Sequence, residues 1–139
     1  MKIFIKNLQK KLPIRGVKIK TLILRLFKAE GIKESGEINI FFVNDERIKK
    51  LNLKFLKINH STDVLAFNLS QRKLNKILLA DIIISTHTAI SNARKFKTTP
   101  EYELRLYVIH GLLHILGYDD RNQDKRKLMR KKEQLYVNR

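Results

Sequence analysis

Cysteine is absent from the 139-residue chain. Disulfides and thiolate metal ligands are therefore excluded, which fits a reducing compartment. Long apolar runs are absent too. None approaches the roughly 18 residues of a membrane-crossing helix, so no span is expected. The opening stretch MKIFIKNLQKKLPIRG alternates lysine with apolar residues. It lacks the apolar block of about 7–15 residues that marks a secretory leader. The expected location is cytoplasmic. Internal repeats, long linkers and low-complexity tracts are missing, and the length reads as one domain over residues 1–139. Acids are few: 13 Asp+Glu against 30 Lys+Arg leave a formal charge of +17. A field of that sign draws polyanions and releases counterions from phosphates, so RNA, DNA and the ribosome are the obvious partners. The competing explanation is the lysine-rich coding bias of an A/T-rich genome. Apolar residues reach 43%, a globular rather than disordered composition.

The chain alternates regular elements. MKIFIKN predicts a first strand. After Pro13 and Gly16, VKIKTLILRLFKAEG has helical spacing through Val17, Leu22, Ile23, Leu26 and Phe27 and stops at Gly31. GEINIFFV is a strand. Asn44 is a good N-cap, and Asp45 and Glu46 follow it where the helix dipole favours acids. That helix runs through ERIKKLNLKF. STDVLAF predicts a third strand. ILLADIII predicts a fourth, nearly all apolar, hence central and covered on both faces. STHTAISNARKF reads as a helix capped by Ser85 or Thr86. Thr99 caps the next helix, with Pro100 at N1 and Glu101 and Glu103 in the first turn. Its apolar residues Leu104, Tyr107, Val108, Leu112 and Ile115 recur at helical spacing, and Gly117 ends it. The last helix, NQDKRKLMRKKEQLYV, is strongly basic. This order predicts an α+β fold with about five helices packed on one mixed four-stranded sheet.

HGLLHILGYDD, residues 110–120, carries the chemistry. Residues four apart on a helix share a face, so His110 and His114 can bind one metal ion. Gly117 stands where the chain needs a residue tolerant of positive φ to turn back. Asp120 follows three residues later. Two imidazoles, a glycine turn and a third ligand at these offsets match the spacing of long-motif zinc hydrolases. The bland alternative is a pair of core histidines bonded to carbonyls. Zinc proteases of this kind carry Glu directly after the first histidine as general base. Here that position is Gly111. Peptide hydrolysis is therefore disfavoured, and what is left is a metal that activates water with the base elsewhere or supplied by the substrate.

HGLLHILGYDD resembles the signature His-Gly-x-Leu-His-x-x-Gly-Tyr-Asp-His of the YbeY family, bacterial rRNA maturation factors regarded as metal-dependent endoribonucleases. STDVLAF, residues 61–67, resembles the family's Thr-Asp/Asn-Val-Leu-Ser-Phe segment, and LADIIIS, residues 79–85, its Leu-Gly-Asp-Ile-x-Ile strand. The three occur in the family's order, across roughly residues 38–120. The resemblance implies a metzincin-like fold, one Zn2+ held by His110, His114 and Asp120, and a role in rRNA maturation and ribosome quality control. Two departures stand out. The family's third ligand is histidine and here it is Asp120, which shifts the metal preference toward Fe or Mn. Asp119 is the alternative ligand. The family's arginine after an aromatic is here Leu56, following Phe55. Lys54 or Lys57 offers only a point charge in its place. Thr62 and Asp63 match the family motif near the metal and are the catalytic candidates, with a turn and cap before a strand as the alternative.

Asp81, inside an apolar strand, is expected to be a buried carboxylate accepting structural hydrogen bonds. His60 and His87 read as solvent-facing or capping residues. Tyr118 reads as packing, with substrate orientation as the alternative. The run RNQDKRKLMRKK, residues 121–132, has seven basic residues and one acid. It is a solvated face by default. Behind a metal site it is also where an RNA backbone can lie, on Lys125, Arg126, Lys127, Arg130 and Lys131. Aromatics are scarce there, so backbone and shape recognition is expected rather than base stacking. The leading expectation is a monomeric metal-dependent endoribonuclease acting on rRNA or ribosomal particles, without DNA specificity or membrane contact. The competing one is a non-catalytic RNA-binding assembly factor with a structural or degenerate metal site.

Overall fold

The structure, a computed structural model, describes residues 1–33, 35–56, 63–70 and 77–138. Its elements are β1 (Lys2–Asn7), α1 (Gly16–Ala29), β2 (Ser35–Val43), α2 (Asp45–Leu56), β3 (Val64–Asn68), β4 (Ile77–Ser85), α3 (Thr86–Phe96), α4 (Pro100–Ile115) and α5 (Gln123–Val137). The sheet order is β1-β2-β4-β3. β1, β2 and β4 run parallel, and β3 pairs antiparallel to β4. The α+β architecture expected from the sequence is the one observed.

Alternation sorts each strand's side chains between two faces. On one face Ile38, Ile40 and Phe42 of β2 stand beside Ala80, Ile82 and Ile84 of β4, all buried. Ile3 and Ile5 of β1 extend that surface. α1 lays Ile19, Leu22, Ile23, Leu26 and Phe27 into the same core. Val17, counted with that stripe in the sequence, is 80% exposed. Helical geometry places it four residues before Thr21, on the outward side of the first turn. α4 lies at the centre, touching α1, α3, α5, β3 and β4. Gly111 permits that closeness. A Cβ there would sit 2.8 Å from Ile82 Cγ2 and 3.3 Å from Val64 Cγ2.

The opposite face differs from expectation. β4 is interior in strand order, yet Ile77 and Leu79 remain 41% and 40% exposed. The described cover of that face is α2, whose Ile48 packs with Val43, Leu65 and Ile83 at one end. Asp81 lies beyond it, half-buried, accepting a hydrogen bond from Asn39 Nδ2 at 3.1 Å. Helix starts follow the sequence. Asn44, Ser85, Thr99 and Asn122 accept bonds from the amides of Arg47, Thr88, Tyr102 and Lys125. His87 Nδ1 accepts from the Asp45 amide, a second cap on α2.

Candidate metal centre

Most of α4 is enclosed: Leu104, Val108, Ile109, Leu112, Leu113 and Ile115 are buried on different sides of it. His110 and His114 are left half-buried on one strip, as spacing by four requires. Their Nε2 atoms lie 3.0 Å apart, with the rings edge to face. After α4 the chain reverses at Gly117, whose φ of +102° suits a residue without a side chain. The turn is closed by Gly117 N–H to the His114 carbonyl and Tyr118 N–H to the Leu113 carbonyl. Asp120 is thereby returned to the histidines. One ligand atom from each of His110, His114 and Asp120 falls within 4.8 Å of the others. Asp119, the alternative, is not part of that group. It accepts from the Arg121 amide and pairs with Lys125 at 3.4 Å.

Glu133 of α5 completes the arrangement. Its Oε1 lies 2.5 Å from His110 Nδ1. Glu133 accepts the hydrogen bond from His110 Nδ1–H, so the Nε2 lone pair of His110 faces the group's centre. His114 Nε2–H can donate to that lone pair, and a bound cation replaces that proton. The three donor atoms lie within 4.8 Å of one another, and two imidazoles with one carboxylate suit Zn2+, Fe2+ or Mn2+. The donor set fits a single divalent ion. Burial alone would lower the His110 pKa, but the bond and charge of Glu133 outweigh it and raise the value. His114 is lowered, by burial first and then by the His110 charge.

The group opens on a cavity of about 250 Å³ lined by Asp63, Leu106, Tyr107, His110, Asp120, Arg126, Met129, Arg130 and Glu133. Of the residues singled out in the sequence, Asp63, His110, Asp120, Arg126 and Arg130 thus meet at one place, and His114 joins them through His110. Arg126 also donates from Nη1 to the Asp120 carbonyl at 3.3 Å. Asp63 accepts from the Val64 amide at 2.8 Å, which fixes its carboxylate at the head of β3. Lys125, Lys127 and Lys131 are exposed on α5 without lining the cavity, and Lys54 is exposed on α2. Thr62, Lys57 and His60 lie outside the described residues. Glu133 and Tyr107 were not singled out from the sequence as site residues. Tyr107 is buried, accepts from Asn92 Nδ2 at 2.7 Å, and has its phenol pKa pushed up, chiefly by burial. The signal for Glu133 was faint: apart from Asp124 it is the only acid in α5.

Fold and site define a class: an α+β protein whose central helix and return turn gather a His-His-Asp group able to bind a metal ion. The chain belongs to the YbeY endoribonuclease family. The family model described as "Endoribonuclease YbeY" matches residues 4–139. The chain is 37% identical over 139 residues to "Endoribonuclease YbeY" of Syntrophus aciditrophicus, covering 96% of this chain and 86% of the relative. It is 34% identical to the protein of the same name from Caldicellulosiruptor bescii, covering 96% and 94%. The solution structure of TM1509 from Thermotoga maritima superposes with a TM-score of 0.67 at 31% identity, over 98% of this chain and 87% of that one. Among the described residues no helix is long and apolar enough to cross a membrane.

Proposed function

We propose that the protein is a single-domain, metal-dependent endoribonuclease of the cytoplasm, acting in rRNA maturation and ribosome quality control. The observation that carries this reading is the convergence of His110, His114 and Asp120 within 4.8 Å, beside a cavity that His110, Asp120 and two arginines line. The names of the curated relatives support the reaction class. The three residues hold one ion, Zn2+ in our reading, with Fe and Mn as competitors. Such an ion supplies Lewis acidity, lowering the pKa of water and stabilising charge on phosphate oxygens. The protein's own groups do the rest. Glu133 keeps the proton on His110 Nδ1 and the ring in its binding orientation. Arg126 and Arg130 hold the phosphodiester from the α5 side of the cavity. Their planar guanidiniums bind two phosphate oxygens at once. In this reading Asp63, which lines the same cavity, takes a proton from the attacking water. Lys125, Lys127 and Lys131 track the RNA backbone beyond the cavity, and the protein works as a monomer.

Metal content and one variant test this. The purified protein retains about one equivalent of metal. His114→Ala loses that metal and RNA cleavage while still binding RNA. A variant that lacks metal yet supports rRNA maturation normally would overturn the enzymatic reading and favour an assembly factor.

A further inference from the structure

α4 carries two of the three proposed ligands by itself. The third, Asp120, sits on the return turn, and Glu133, which orients His110, sits on α5. Neither segment is fixed by the helical spacing of the histidines. The turn's surface ion pairs are weak anchors: Asp119 pairs with Lys125 and Arg121, both largely exposed. The buried anchor is elsewhere.

Glu30 caps the C-terminal end of α1, and its side chain is only 7% exposed. A carboxylate so buried is costly unless hydrogen bonds satisfy it. It has three donors. Tyr118 Oη–H donates to Oε1 at 2.5 Å, Lys132 Nζ to Oε2 at 2.9 Å, and Tyr136 Oη–H to the same oxygen. Tyr118 lies on the return turn, between Gly117 and the two aspartates. Lys132 immediately precedes Glu133, and its Nζ also sits 5.6 Å from the centre of the Tyr118 ring. One carboxylate thus clamps the turn with one oxygen and α5 with the other. Burial pushes the Glu30 carboxyl up, but its three donors outweigh that and hold it below the usual value. The native state is built around the charged form.

We infer that Glu30 is the positioning residue of the metal group, tying to α1 both the turn that presents Asp120 and the helix that presents Glu133. The inference rests on the proposed ligand role of His110, His114 and Asp120. It predicts that metal affinity depends on a side chain that touches no ligand.

Zinc affinity of the full chain, measured against a competing chelator, tests this alongside amide exchange across residues 117–121. Glu30→Ala, folded by circular dichroism, binds zinc about tenfold to a hundredfold more weakly, the range of outer-shell substitutions, and its turn amides exchange faster. Glu30→Gln, which still accepts hydrogen bonds, recovers part of both. Ile48→Val, which loosens the cluster on the far side of the sheet, leaves zinc affinity unchanged and so separates positioning from general stability. If Glu30→Ala does not fold, Tyr118→Phe removes one donor and keeps the ring, and it weakens zinc severalfold. Wild-type affinity and exchange in a folded Glu30→Ala, or unchanged affinity in Tyr118→Phe, overturns the proposal alone. A wild-type protein that takes up no zinc, iron or manganese overturns the reading of the ligands and the proposal together.

Discussion

A missing side chain lets α4 lie against the sheet. At Gly111 the space a Cβ would need is filled by Ile82 Cγ2 at 2.8 Å, and Ile82 is fully buried on an interior strand. Gly111→Ala therefore forces α4 off β4 or Ile82 out of its rotamer. Overpacking of this kind costs about 1–3 kcal/mol, to be read as a lower urea midpoint with an unchanged m-value. Stability equal to wild type would show that the helix sits less tightly than described. The same close approach explains why no glutamate follows His110. Read from the sequence, Gly111 was the absence of a protease base; in the structure it is the point where helix and strand nearly touch. His110, His114 and Asp120 were legible because their relation is local, one helix and its turn. Glu133 was not, because it meets His110 from another helix, 23 residues on, at no spacing that a sequence pattern encodes.

The elements themselves were legible nearly throughout, since apolar periodicity and side-chain caps are also local signals. Their mutual placement was not. Among the described residues the cover of the second face of β4 is set by α2, and the anchoring of α1 depends on Glu30 meeting partners 88, 102 and 106 residues away. That anchoring has a pH signature. Glu30 has a folded-state pKa below its ordinary 4.5, so its contribution to stability is fully present above that value. It is lost as the pH falls through the lower, folded value. The donors do not titrate in that window. Tyr136 is pushed up to about 12, first by burial and then by Glu30 itself, and Lys132 is raised, first by its bond to Glu30. Wild type should therefore exceed Glu30→Gln in unfolding free energy by a constant margin from neutral pH down to about 5, a margin that shrinks on further acidification. Parallel denaturation series on the two proteins check this. A margin independent of pH down to about 3 would mean that the carboxylate's charge is not what joins α1 to the turn and α5.

Across the molecule, charge is divided by function. The chain carries +17, yet the cavity beside the histidines collects Asp63, Asp120 and Glu133 against Arg126 and Arg130. On the proposed function the bulk field would draw RNA in, while three carboxylates facing two guanidiniums would oppose a phosphate at the site until a bound divalent cation changed the local balance. Binding and cleavage should then respond to different perturbations. Affinity for a single-stranded RNA oligonucleotide should fall steeply with salt, and chelation should leave that slope unchanged while abolishing cleavage. Replacing Arg126, Arg130 and Lys131 with Gln should reduce the slope of log affinity against log salt by about 0.7 for each phosphate no longer neutralised, so by roughly 2 in all. Filter binding at several salt concentrations, with and without chelator, reads both quantities. An unchanged slope in the triple variant would move the RNA path off α5 to another basic face. A slope that collapses on chelation would mean that the ion, rather than the surface charge, recruits the substrate.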